Sequence, residues 1–254
     1  MLTAPATILL VMTCWLLGSG KLFSLWGLTI LIFAMLVHWF SFGMNSLMDY
    51  MMGYDLRDPY KVHFPLIIKK IKTDEAAKVI FIGVALLAFI AIAIVLMSMG
   101  NQTKALASFF IFVICGFLYN IGLGKITIFK FVPISLSFLA LSTWGYFLNA
   151  IERDLLATLV FAYIFLTILY QISISGEVKE LEAEREKNLL RSLGAKIENG
   201  SLNLGLGKYY AIMLKGIQIC VLVLILKIVG IGYLRFFIVS LFIGFIILML
   251  HEQI

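Results

Sequence analysis

Polar chemistry is scarce in this chain. Only 13% of its 254 residues are charged, and no stretch is low in complexity or polar enough to form a separate soluble domain. Its three cysteines, Cys14, Cys115 and Cys220, lie apart inside apolar segments with no CxxC spacing, which argues against both a disulfide framework and a zinc site. The hydrophobic runs reach about 20 residues without the alternation of an outer-membrane barrel strand, so strands are not expected. The first 20 residues lack a basic leading stretch. They run into Gly18-Ser19-Gly20-Lys21 and read as a first membrane helix rather than a cleaved signal peptide. No nucleic-acid partner is expected.

What is abundant is apolar length. Sixty-two per cent of the residues are hydrophobic (62%), and the mean hydropathy is +1.05, more than a soluble core of this size can hold. The expectation is an all-α, polytopic transmembrane helical bundle forming one domain over 1–254. Eight spans are predicted, at 4–19, 22–48, 78–99, 104–122, 129–149, 155–176, 209–229 and 232–250. The last two are joined tightly through Gly230, Ile231 and Gly232.

Charge then sets the orientation. Arg57, Lys61, Lys69, Lys70, Lys72 and Lys78 lie between spans two and three, and Lys125 and Lys130 lie between four and five. Lys179, Arg185, Lys187, Arg191, Lys196 and Lys208 lie between six and seven. With eight spans these loops share one side, whereas the other side holds Lys21, Lys104, Arg153, Lys227 and Arg235. The positive-inside rule places the richer side and both termini in the cytoplasm. Most of the acidic residues gather there too, at Asp49, Asp55, Asp58, Asp74 and Glu75, then at Glu177, Glu180, Glu182, Glu184, Glu186 and Glu198. Loops 49–78 and 177–208 are therefore expected to form one site.

Asn45 and Asp49 stand four apart and share a helical face, and Gly53 allows the chain to turn so that Asp55 and Asp58 swing back towards them. Polar groups near a membrane helix end are costly and usually functional. In the second cluster Glu177, Glu180 and Glu184 follow helical spacing along one face, although taken alone GEVKELEAEREK reads first as an ordinary solvated helix laced with ion pairs. Separated carboxylates converging from two elements suit Mg²⁺, which takes one or two carboxylates with phosphate oxygens and water. Nearby Arg and Lys would stabilise charge on a departing diphosphate.

These residues resemble a family. Asn45-x3-Asp49-Tyr50-x2-Gly53-x-Asp55 is similar to the first aspartate-rich motif of the UbiA superfamily of intramembrane prenyltransferases, in the NDxxDYxxGxD form of its menaquinone-type members. Pro65-Leu66, Lys70-Ile71 and Glu75-Ala76 resemble the RPLxSGxIxxxEA segment, and Glu177 to Arg185 resembles the second motif. Tyr119-Asn120 followed by Lys125 is similar to the tyrosine and basic residue after the fourth helix. The chain departs from the pattern at Ser46 and Phe64, where the family usually has Asp and Arg, and in using Glu throughout the second motif. It also shows eight spans where the family usually has nine.

The resemblance implies Mg²⁺ held by Asp49, Asp55, Glu180 and Glu184, with Asp58 and Glu177 as further candidate ligands. It implies substrate contacts from Asn45, Tyr119, Lys61, Lys70, Lys125 and Arg185, and an isoprenyl diphosphate and a hydrophobic acceptor as partners within the lipid. Phe42, Tyr119, Trp144 and Tyr146 are candidate stabilisers of the allylic cation, set against the commoner role of aromatics in packing. A quinone-type aromatic acceptor competes with a glyceryl ether phosphate, a carotenoid end group and internal cyclisation. A transporter and a binding protein without transferase activity remain the readings from other classes.

Overall fold

The computed structural model describes residues 3–18, 20–21, 23–53, 66–120, 129–182, 188–198 and 201–229. The expected spans fold as helices: α1 (Thr3–Leu17), α2 (Leu25–Met51), α3 (Thr73–Met97), α4 (Gln102–Asn120), α5 (Phe131–Phe147) and α6 (Leu155–Tyr170). A π-helical turn, Gln171–Gly176, continues α6, and α9 (Gly207–Val229) follows two short helices, α7 (Glu177–Glu182) and α8 (Leu189–Ser192). The predicted span 232–250 lies outside the described residues. Five segments, α2, α3, α4, α6 with its π turn, and α9, are long and apolar enough to cross a membrane.

Local chemistry sets the helix ends. Ser24 caps α2 by accepting from Gly27 N at 2.9 Å, and Asp154 caps α6 by accepting from Ala157 N at 2.6 Å. Helix α3 begins at Thr73, five residues before the predicted span, because Asp74 and Glu75 suit the positive end of a helix dipole. At the far end of α2 the chain leaves the helix through Gly53 at φ +77°, the turn expected of that glycine.

Helix α5 is the centre of the bundle. Its 17 residues span about 26 Å, short of a bilayer's hydrocarbon thickness, yet it packs against α1, α4 and α6 and needs little contact with lipid. Trp144 is fully buried between Phe33 of α2 and Phe109 of α4, with ring centroids at 4.9 and 6.2 Å. Lipid tails are as apolar as leucine, so close fit and polar ties hold such helices together. Ser137 Oγ donates across to the Phe112 carbonyl at 3.0 Å, and Thr7 Oγ1 lies 3.1 Å from His38 Nδ1, making His38 a packed residue that ties α1 to α2. Gln218 of α9 donates to Thr167 of α6 at 2.5 Å and accepts from Lys215 at 2.9 Å. The Lys215 ammonium sits 4.1 Å from the Tyr170 ring centroid.

At the Leu25 end of the bundle the α3–α4 and α5–α6 turns are pinned together, Gly100 N donating to Leu148 O and Asn101 N to Ala150 O, each at 3.0 Å. A Cβ on Gly100 would collide with the Phe147 carbonyl oxygen and lie 2.7 Å from Asn149 N, all backbone that cannot swing aside. Gly100→Ala is expected to cost about 1–3 kcal/mol, read as a lower unfolding midpoint in detergent. An unchanged midpoint would show that this junction yields freely.

The stretch 177–208 departs from the expected loop. It carries α7, α8 and a hairpin of two strands, β1 (Lys196–Glu198) and β2 (Ser201–Asn203), with Ile197 opposite Leu202. Asn199-Gly200 is a strong hairpin signal that hydropathy alone passes over. Leu181, Leu190 and Ala195 join Ile174 of the π turn in a small core of their own, so this segment folds onto the end of α6.

Candidate functional site

Asn45 and Asp49 lie in the last two turns of α2, and the helical spacing brings Asn45 Nδ2 to 3.0 Å from Asp49 Oδ2 as a donor. Asp49 is only 6% exposed. Asn45 Oδ1 is sealed from solvent and has no hydrogen-bond partner among the described residues. A buried carboxylate with an oxygen donor beside it is costly in apolar surroundings, and hard oxygen donors of this kind suit Mg²⁺.

The neighbouring helix ends bring more polar groups to the same end of the bundle. Tyr119, half-buried, and Asn120, buried, close α4, and the Asn120 amide donates to the Gly116 carbonyl at 2.8 Å. Lys130 immediately precedes α5 and is 8% exposed. Its Nζ lies 3.0 Å from Glu177 Oε1, and Glu177 is fully buried. Leu189 N donates to Glu177 Oε2 at 2.7 Å, and Asn188 Nδ2 donates to the Glu177 carbonyl at 2.6 Å. Asn188 also caps α8, accepting from Arg191 N at 3.0 Å. One carboxylate thus ties α5, α7 and α8 together, and both its oxygens are taken up by an ammonium and an amide.

The expected residues therefore divide. Asn45 and Asp49 are brought together. Glu177 is turned inward onto Lys130, and a carboxylate so held meets a metal poorly. Lys70 is exposed in the turn before α3, where Lys69 takes a positive φ of 54°. Glu180 lies in α7. Asp55, Asp58, Lys61, Lys125, Glu184 and Arg185 lie outside the described residues. Among the described residues no three His, Cys, Asp or Glu side chains converge as a metal site.

Two of the aromatic candidates sit far from Asp49. Trp144 fills the core, and Tyr146 donates from its hydroxyl to the Glu152 carbonyl at 3.0 Å near the opposite end of α5. Phe42 stacks on His38 at 4.3 Å and lies nearer the carboxylate end of α2.

Sequence reading counted Lys130 only as a loop charge. The signal it carried was its position, a lone lysine directly before an apolar helix, where burial demands an opposite charge. Ser173 was also passed over. It is fully buried in the π turn, accepts from the Tyr210 hydroxyl of α9 at 3.1 Å and donates to Leu169 O at 2.6 Å. Compared with models of protein families, with curated proteins and with solved structures, the chain finds no match.

Proposed function

We propose that this chain is a membrane-embedded, Mg²⁺-dependent prenyltransferase of the UbiA type, moving an isoprenyl group from its diphosphate to a lipid-soluble acceptor, of the quinone-precursor aromatic class. The observation that carries the reading is the buried Asp49 carboxylate, joined to the half-buried Asn45 at 3.0 Å, at an end of the bundle rich in basic residues. Asp49 would hold the cation, with Asp55, Glu180 and Glu184 completing its ligands and Asn45 supporting Asp49 through its amide. When bound, Mg²⁺ would neutralise diphosphate oxygens and ease departure of the leaving group. Lys61, Lys70, Lys125 and Arg185 would take up charge on the diphosphate, and Tyr119 would face the substrate. The apolar helices would shelter the prenyl chain and keep water from the allylic cation until the acceptor captures it. Acidic loops and both termini would lie in the cytoplasm.

One observation favours a second reading, a binding or assembly protein without transferase activity: Glu177 is committed to Lys130 at 3.0 Å. Purified protein given a radiolabelled prenyl diphosphate and a panel of naphthoate and benzoate acceptors separates the two. Mg²⁺-dependent diphosphate release with label in the acceptor is expected. Label bound but never released, at saturating Mg²⁺ and with every acceptor, would leave only the binding reading.

A further inference from the structure

Helix α9 is one of the helices long and apolar enough to cross a membrane, and its buried face runs through Gly207, Leu214, Gln218 and Ile225. Lys215 stands beside that face, about 12 Å along the helix from Gly207, and is exposed. On such a helix an exposed side chain faces lipid, where an uncompensated charge is costly.

What holds the ammonium is neutral. Thr167 uses its hydroxyl hydrogen on the Tyr163 carbonyl at 2.8 Å, so towards Gln218 it can only accept. That takes up a Gln218 N–H and turns the amide oxygen to Lys215, whose Nζ donates to it at 2.9 Å. The Tyr170 ring centroid lies 4.1 Å from the same nitrogen. No Asp or Glu pairs with Lys215 among the described residues. An amide oxygen and a ring face orient a cation without neutralising it.

The surface beside the ammonium is open and apolar. A Cβ on Gly216 would meet nothing within 4 Å, and Ile212 and Ile219, about one turn to either side of Lys215, are strongly exposed. Helical side chains lean towards the helix start, here towards Lys208, an exposed lysine on the same face two turns earlier. The long apolar stem of a lysine lets its charge reach headgroup depth from within the chain region.

We propose that Lys215 binds the phosphate of an anionic phospholipid, its ammonium donating to a phosphate oxygen while the acyl chains lie over Gly216 between Ile212 and Ile219. Free phosphate offers the same oxygens without chains, and a zwitterionic lipid offers chains and phosphate without net charge. The ligand has both. The assignment stands independently of transferase activity.

The full chain in detergent is titrated with phosphatidylglycerol and with phosphatidylcholine of the same chains, and bound lipid is read by native mass spectrometry. Phosphatidylglycerol is expected to be retained about fivefold over phosphatidylcholine, the scale on which one lysine near a membrane surface favours anionic lipid. Lys215→Met should remove that preference and Lys215→Arg should keep it. Lys72→Met, which removes an equal charge from the exposed turn before α3, should leave it unchanged. Equal retention of the two lipids by the unaltered protein overturns the proposal, whether or not the variants fold. So does a preference that survives Lys215→Met, one that Lys72→Met lowers as far, or displacement of phosphatidylglycerol by millimolar inorganic phosphate. A dimer in the same spectra that Lys215→Met abolishes, without any lipid preference, would give the ammonium a second copy of the chain as partner and likewise overturns it.

Discussion

Asp49→Asn is expected to lower Mg²⁺-dependent diphosphate release by about 10²- to 10³-fold, the scale on which losing one charge-stabilising group acts in a preorganised site. Asparagine keeps the shape of the side chain and removes a buried charge, so the unfolding midpoint should hold or rise. That separates lost chemistry from lost fold. Asn45→Leu acts one step removed, by taking away the amide that donates to Asp49 Oδ2 at 3.0 Å, and should cost about 10- to 100-fold. Glu180→Ala tests the opposing wall. If Asp49→Ala and Glu180→Ala both keep Mg²⁺-dependent turnover, the metal scheme fails.

Lys130→Met is expected to destabilise the protein by about 3–5 kcal/mol, because it leaves the fully buried Glu177 carboxylate without its cation. Glu177→Leu should be similarly damaging, since it strands the lysine and removes the acceptor for Leu189 N. The double variant Lys130→Met, Glu177→Leu replaces both charges with apolar groups and should recover most of the loss. Unfolding midpoints of the three variants measure this, and additive losses in the double variant would rule out a coupled pair. Activity of the double variant decides what Glu177 does. Recovered stability with full Mg²⁺ dependence marks it as a structural pin, and recovered stability with no turnover marks it as part of the metal site.

Glu177 also marks the limit of what spacing can say. Read along an α-helix, Glu177, Glu180 and Glu184 share a face that could be presented to a metal. In the fold, the π turn Gln171–Gly176 comes immediately before Glu177 and changes the angular phase with which the chain enters α7. Glu177 then points inward, and Val178 and Leu181 pack beside the small core of Ile174, Leu190 and Ala195. A one-residue change of phase leaves no trace in hydropathy. Asn45 and Asp49 escaped this difficulty because an unbroken helix with four-residue spacing fixes their relation locally.

The sequence by itself determined the helical membrane character, the approximate limits of the apolar helices, the turn at Gly53 and the pairing of Asn45 with Asp49. Each of these depends on composition or on contacts within about a turn of helix. Only the tertiary structure decided that Lys130 meets Glu177 and that α5 forms the centre of the bundle. Those are contacts between elements distant along the chain. They are fixed by which helix faces pack together, and near-uniform apolar helices do not encode their facing in any pattern that can be read along one strand of residues.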